Sequence, residues 1–236
     1  MKNPISKHDF HEMAKQRGYV RKSTPSKVFG NMKRTPDVIV DIGVRGGTDW
    51  LYNAFPDTPF VLVDPQRADQ WNLDHKPGSY VIVNKGLSDT AGRMDLMEQG
   101  GKSTFHDRTA LTSEEIREVY SVEVVTFDQM ADDLALTGKI GLKIDVEGHE
   151  LRVLRGIKAY RKSIDFIVVE MSILNRFVNT PTFSDIVVAL NEMGFRFYNL
   201  MNHARPKAPL HYDGIFLQHD DVAFDAPERH PTADSE

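Results

Sequence analysis

The chain contains no cysteine among its 236 residues. Disulfides, thiolate nucleophiles and cysteine-bound metal clusters are therefore excluded for this chain. The chain also has no excess of one charge, because 29 basic and 34 acidic residues leave a formal net charge of -5. Such a balance provides no electrostatic footprint for nucleic acid. We therefore expect a partner other than a polyanion.

A long apolar run is missing from the N-terminus, where residues 1–15 read MKNPISKHDFHEMAK. Charged or polar side chains recur there every few positions, which predicts neither a secretory signal nor a membrane span. Together with the lack of cysteine, this pattern favours a cytoplasmic protein with no membrane partner.

The length of the chain and its hydrophobic content of 40% are typical of a single α/β domain. We expect residues 1–35 to form a short helix and an arm, and residues 36–219 to form the domain. Residues 220–236 are acidic, contain proline and have few aliphatic side chains, which predicts a disordered tail.

Short apolar and β-branched runs alternate with segments of helical length. The runs lie at residues 36–41, 60–64, 80–83, 140–144 and 164–170. This alternation predicts five parallel strands, and residues 195–200 and 214–217 predict a terminal antiparallel pair. Residues 88–128 break the pattern with several glycines, so we interpret them as an irregular insertion with extra strands, or a lid.

The stretch from Leu142 to Glu150 is the most informative part of the chain. An apolar strand ends there in Asp145, Glu147 and Glu150, and a helix follows directly. Ligands of open parallel sheets bind beyond such strand ends. Helix N-termini attract acids by about 0.3–1 kcal/mol, which explains Glu150 but not Asp145. Alternatively, Asp145, Glu147 and Glu170 would suit a divalent cation.

His149 is the only histidine within this acidic cluster. Its imidazole could accept a hydroxyl proton near neutral pH, although a histidine in a first helical turn is more often a solvated surface group. The candidate catalytic residues are therefore His149, Asp145 and Glu147.

A glycine-rich turn, Asp41–Thr48, follows the first strand and opens a helix. Its Gly-x-x-Gly-Gly spacing departs from the dinucleotide fingerprint, which makes a dehydrogenase the least favoured enzyme class. Asp64 ends the second strand 23 positions after Asp41, close to the offset at which an acid binds ribose hydroxyls. The alternatives are a plain tight turn and a carboxylate that caps the next helix.

The third strand leads into Asn84–Asp89, where a glycine and polar groups could meet an adenine edge, although loops often have this composition. The candidate cofactor-binding residues are Asp41, Gly43, Arg45, Gly46, Gly47, Asp64, Gly86, Leu87, Ser88 and Asp145.

Several of these motifs together resemble the FkbM family of S-adenosylmethionine-dependent methyltransferases. The similar segments are LKIDVEGHELRVLRG at residues 142–156, the strand ending in Glu170, Pro181-x-Phe183, Gly194-Phe195 and Asp213–Phe216. The resemblance covers roughly residues 36–218. It implies a class I methyltransferase Rossmann-like α/β fold, with a mostly parallel seven-stranded sheet and an antiparallel C-terminal pair. It also implies transfer of a methyl group to oxygen, usually a hydroxyl of a sugar or natural product.

Position by position, the resemblance assigns Asp41, Gly43 and Gly47 to the first cofactor loop. It places Asp64 where the family has an acid before proline, and it matches Asp145, Glu147 and Glu150 to the family signature. The loop departs from many members, which have alanine and asparagine where this chain has Val44 and Arg45, so we expect Arg45 to change how the methionine carboxylate is held. The family also has several residue types at the position of His149.

The expected acceptor is a glycan or another small molecule, and a requirement for a divalent metal stays open. The alternatives are a metal-dependent or N-methylating enzyme, and a non-catalytic nucleoside-binding protein with the same sheet. The oligomeric state is also open, with a homodimer as one option.

Overall fold

The computed structural model describes residues 25–67, 71, 76–99, 102–113, 115–201 and 209–225. The strands are β1 Val38–Ile42, β2 Phe60–Val63, β3 Tyr80–Val83, β4 Gly86–Leu87, β5 Gly92–Gln99, β6 Lys102–Thr104, β7 Glu118–Val125, β8 Ile140–Ile144, β9 Ile164–Ser172, β10 Phe195–Leu200 and β11 His211–Gln218. The helices are α1 Pro25–Met32, α2 Asp49–Ala54, α3 Phe127–Asp133, α4 Glu150–Arg155 and α5 Phe183–Glu192, and short 3-10 turns lie at Arg161–Ser163 and Val222–Phe224.

The main sheet has seven strands in the order β10-β11-β9-β8-β1-β2-β3. The strands from β9 to β3 run parallel, and β11 is antiparallel to both β9 and β10. Every residue of β1, β2 and β8 is buried, because apolar clusters cover both faces of the sheet. The predicted class I methyltransferase fold, with its antiparallel C-terminal pair, is confirmed.

Helix α1 belongs to the domain, although the sequence pattern predicts a boundary at residue 36. Phe29 is buried, and its ring lies 5.2 Å from Phe55 and 5.0 Å from Phe166. This aromatic cluster covers one face of the sheet, so the domain begins before the first strand. Residues 1–24 of the predicted helix and arm lie outside the described residues.

The insertion at residues 88–128 is more regular than predicted. Strand β5 pairs with both β6 and β7, and β7 pairs with β4, which gives a second sheet in the order β4-β7-β5-β6. Leu96, Val122 and Val124 make its small core. The predicted extra strands are therefore present, and lid motion stays a prediction.

The first residues of the predicted tail, 220–225, belong to the described part of the chain. Asp221 accepts a hydrogen bond from the guanidinium of Arg34 at 2.6 Å, and its side chain also caps the turn at Val222–Phe224. Arg34 is bound to Asp165 as well, at 3.1 Å. The ion pair of Asp221 with Arg34 therefore holds the beginning of residues 220–236 against the domain. Residues 226–236 lie outside the described part of the chain.

We predict that Gly43→Ala destabilises the fold strongly. Gly43 has a φ of +86°, and a Cβ there would lie 1.8 Å from the carbonyl oxygen of Asp145. We expect a loss of at least about 3 kcal/mol in the free energy of unfolding, measured with urea. The control is Gly30→Ala, inside α1 with open space around it, which should stabilise by about 0.5–1 kcal/mol. Equal stability of the two variants would contradict this account.

Candidate active site

A cavity of about 480 Å³ opens beyond the carboxyl ends of β1, β2 and β8, and the second sheet forms its opposite wall. Of the residues predicted from the sequence, those that line it are Gly43, Arg45, Gly46, Gly47, Asp64, Gly86, Leu87, Asp145 and Glu147. This volume is within the range of small-molecule and cofactor sites. The cavity therefore brings most of the predicted residues to one place.

The glycine-rich turn forms one side of the cavity. The amide of Gly43 donates to the carbonyl of Val63 at 2.8 Å, which ties the turn to the end of β2. Arg45 faces the cavity, and its Nη1 is buried with no hydrogen-bond partner among the described residues. A buried guanidinium nitrogen in this state is a ready donor for a carboxylate.

Asp64 lies at the end of β2 with only 5% of its surface exposed. Its carboxylate accepts the backbone amides of Arg45 and Gln66, both at 2.9 Å, and burial raises its pKa. Since each oxygen has a further lone pair and the residue lines the cavity, Asp64 can accept additional hydroxyl donors.

Asp41 lies below the cavity and does not line it, in contrast to the prediction. It is fully buried, and its carboxylate accepts a hydrogen bond from the hydroxyl of Tyr52 at 2.9 Å. The ammonium of Lys143 lies 3.5 Å from Asp41 and 3.3 Å from Asp145. Burial by itself lowers the pKa of Lys143, but the carboxylates of Asp145 and Asp41 outweigh this effect and raise the pKa above its ordinary value. Lys143 lines the cavity, so Asp41 contributes to the site by holding the ammonium group of Lys143.

His149 and Ser88 lie together in a buried network outside the cavity lining. The Nε2 of His149 lies 3.0 Å from the hydroxyl of Ser88, and its Nδ1 lies 2.9 Å from Nε2 of His106. His149 is 1% exposed, and burial lowers its pKa to about 3. The imidazole is therefore neutral and enclosed, which corrects the expectation of a solvated or acceptor-facing histidine. Ser88 likewise belongs to this network and does not line the cavity, and its contact with a cofactor stays a prediction.

Glu150 fits the helix-terminus interpretation. Its carboxylate turns back to accept the amides of Gly148 at 3.0 Å and Val146 at 3.2 Å. Burial raises its pKa to about 7. Glu150 therefore holds the turn between β8 and α4 in shape.

The carboxylates of Asp145, Glu147 and Glu170 lie within 4.8 Å of one another, as a metal site would require. A guanidinium already bridges two of them, because Arg176 lies 2.5 Å from Glu147 and also binds Glu170. Burial raises the pKa of Glu170 despite this partner. Sequence reasoning missed Arg176, which lies in the loop after β9, and Lys143, which lies inside the conspicuous motif.

The sheet order, the glycine turn and the acids at adjacent strand ends define a class I methyltransferase fold with its ligand cavity intact. Residues 29–197 match the model of the methyltransferase FkbM domain. The chain therefore belongs to the FkbM methyltransferase domain family.

Three relatives illustrate the range of similarity. A hexuronic acid methyltransferase, AglP of Haloferax volcanii, is 26% identical over 138 residues, which are 57% of this chain and 56% of the relative. A methyltransferase FkbM from Methylobacillus flagellatus has a TM-score of 0.49 and 14% identity, covering 83% of this chain and 48% of the other. A 1,6-didemethyltoxoflavin-N1-methyltransferase from Burkholderia thailandensis has a TM-score of 0.46 and 15% identity, covering 93% and 94%. The chain thus spans little more than half the length of AglP.

Within the residues that the structure describes, no helix combines the length and the apolar character that crossing a membrane requires.

We predict that Glu150→Gln changes the pH dependence of stability. A raised carboxyl pKa in the folded state stabilises the protein below pH 4.5, and this contribution is lost as pH rises through about 7. Between pH 4.5 and about 7, the free energy of unfolding of the variant should therefore rise by about 2–3 kcal/mol relative to that of the wild type. Urea unfolding across this range measures the change, with Glu192→Gln as the exposed control. Parallel curves for wild type and Glu150→Gln would contradict the assignment.

Proposed function

We propose that the protein transfers a methyl group from S-adenosylmethionine to a hydroxyl of a sugar, glycan or other small molecule. The observation that carries this proposal is the buried carboxylate of Asp64, which faces a cavity beside the glycine turn Gly43–Gly47. Membership of the FkbM methyltransferase domain family supports the same reaction class.

The residues of the cavity suit the parts of this cofactor. Asp64 would accept the ribose hydroxyls, and the unpaired nitrogen of Arg45 would bind the methionine carboxylate. The apolar side chains of Leu87, Leu96 and Phe105 line the same space and suit the face of a purine.

The acceptor side is assigned to Asp145 and Glu147, which line the cavity. When bound, S-adenosylmethionine would supply a methyl group that is already activated. The chain then has to orient the acceptor oxygen in line with the bond that breaks and remove the hydroxyl proton. Glu147 is the better candidate for the base, because it lines the cavity, whereas His149 does not reach the lining and both of its ring nitrogens lie within hydrogen-bond distance of Ser88 and His106.

A sugar acceptor is supported by the name of the relative AglP, a hexuronic acid methyltransferase. The residues that line the cavity include Lys102 of β6 and Lys85, which lies between β3 and β4 and is paired with Glu123 at 2.6 Å. A cationic side chain at Lys102 would favour an acidic sugar.

We predict that Asp64→Asn weakens binding of S-adenosylhomocysteine about tenfold to a hundredfold, because hydrogen bonds to a charged group contribute about 1.5–3 kcal/mol. Calorimetry measures the affinity. Asp95→Asn, an exposed change on β5, is the matched control and should bind like the wild type. Unchanged affinity in folded Asp64→Asn would contradict the ribose assignment.

We predict that labelled S-adenosylmethionine transfers its methyl group to members of a panel of sugars, uronic acids and phenols. Glu147→Gln should slow this transfer about 10²- to 10⁴-fold, as expected for loss of a base, whereas His149→Gln should slow it less than about tenfold. Mass spectrometry locates the methylated atom. Cofactor binding without transfer to any acceptor would favour the non-catalytic alternative, and a methylated nitrogen would favour the N-methylating one.

A further inference from the structure

Arg176 is an enclosed cation of the acidic cluster, with 3% of its side chain exposed, the same fraction as for Arg108. Two different nitrogens of its guanidinium bind two carboxylates: Nη2 lies 2.5 Å from Glu147, and Nη1 contacts Glu170. A planar fork of this kind fixes both the distance and the orientation of its two partners. Arg176 therefore occupies the position between carboxylates that a metal ion would otherwise take.

The backbone at Arg176 and Phe177 is tied to the loop that joins β6 to β7. The carbonyl of Arg176 accepts the amide of Thr109 at 3.0 Å and the hydroxyl of Thr112 at 2.6 Å. A β-bridge joins Arg108 to Phe177, and both guanidinium groups lie over the Phe177 ring. Backbone hydrogen bonds and the contact with the Phe177 ring thus hold Arg176 in place in addition to the two carboxylates.

Glu147 is fixed from several directions at the same point. Its backbone adopts a φ of +51°, and its carbonyl accepts a hydrogen bond from Thr104 at 2.7 Å. Its carboxylate meets Arg108 at 3.3 Å in addition to Arg176. A non-glycine residue with this φ persists where its surroundings over-determine it, and such positions cluster at ligand sites. The two arginines therefore aim one carboxylate at the cavity.

We propose that Arg176, which binds Glu147 and Glu170, takes the place of a divalent metal ion in the cluster that these residues form with Asp145, and that it positions Glu147 towards the acceptor. Asp145 has its own cation, because Lys143 lies 3.3 Å from it. The first part stands on the contacts of Arg176, and the second rests on the proposed function. Arg176 is a positioning residue, because it acts through Glu147. Methyl transfer then needs no added metal.

The test begins with manganese, which prefers carboxylate ligands. Titration of the wild type with Mn²⁺, followed by calorimetry and paramagnetic resonance, should detect no binding at the cluster. Arg176→Ala exposes the three carboxylates and should bind Mn²⁺ at least about tenfold more tightly than the wild type, with a rise in Tm. Arg176→Lys keeps a cation among the carboxylates and should therefore bind Mn²⁺ no better than the wild type, although it lacks the planar fork. Arg93→Ala, an exposed arginine on β5, is the control.

Two outcomes overturn the first part of the proposal. One is tight Mn²⁺ binding by the wild type that Glu170→Gln abolishes. The other is folded Arg176→Ala that binds Mn²⁺ no better than Arg93→Ala. Because the wild-type titration needs no variant, misfolding of Arg176→Ala does not remove the test. None of these measurements depends on methyl transfer, so failure here is distinguishable from failure of the proposed function.

Guanidinium ions test the positioning role. In Arg176→Ala, we expect kcat for the acceptor found by labelled transfer to fall at least about tenfold while the affinity for S-adenosylhomocysteine changes less than about threefold. Dilute guanidinium should restore part of kcat, and EDTA should leave wild-type turnover unchanged. An unchanged kcat in Arg176→Ala, a lack of rescue or an EDTA-sensitive wild type would overturn the positioning role.

Discussion

The close backbone approach of Gly43 to Asp145 determines where the two halves of the cavity meet. Because Gly43 has no side chain, the turn after β1 can lie directly against the carbonyl of Asp145, and the amide of Asp145 donates to Ile42 at 3.0 Å. The proposed cofactor loop and the acidic turn are therefore parts of one rigid junction between adjacent strands. This contact fixes how far the glycine turn lies from the turn that carries Asp145 and Glu147.

Charge pairing is the second constraint on the same junction. Asp41 and Lys143 are register partners on β1 and β8, and both are buried. A buried charge is costly unless it is paired and hydrogen-bonded. Tyr52 provides a hydrogen bond to Asp41, and Asp145 provides a second negative partner for Lys143. At the other end of the cluster, Arg176 does the same for Glu147 and Glu170. The acids at the strand ends can therefore be dense without a bound metal.

The sheet could be predicted from the sequence because its signal is local. Short buried runs repeat between helical segments, and the motif around Asp145 places the acids at a strand end. The same reasoning placed Asp64 and the glycine turn at one cavity. Local patterns also indicated the helix that follows His149 and the antiparallel pair at the C-terminus.

The environment of particular side chains could not be predicted in this way, because it depends on distant segments. His149 is buried by Phe105 and His106 of the insertion, whose ring centroids lie 5.0 Å and 5.1 Å from its own. Nothing next to His149 in the chain indicates this. Arg176 lies in a loop without periodicity, and only the fold brings it to Glu147. The sequence pattern predicts a domain boundary at residue 36, but it cannot show that α1 packs on the domain, because the contact of Phe29 with Phe166 joins distant parts of the chain.

The main sheet and the inserted segment supply different parts of the cavity lining. Within the inserted segment, the stretch from Lys102 to Thr112 supplies one wall of the cavity and is bonded to the loop that carries Arg176. The main sheet carries Asp64 and the glycine turn by itself. Changes in the inserted segment can therefore reshape one wall of the cavity without altering the strand ends that position Asp64 and the glycine turn.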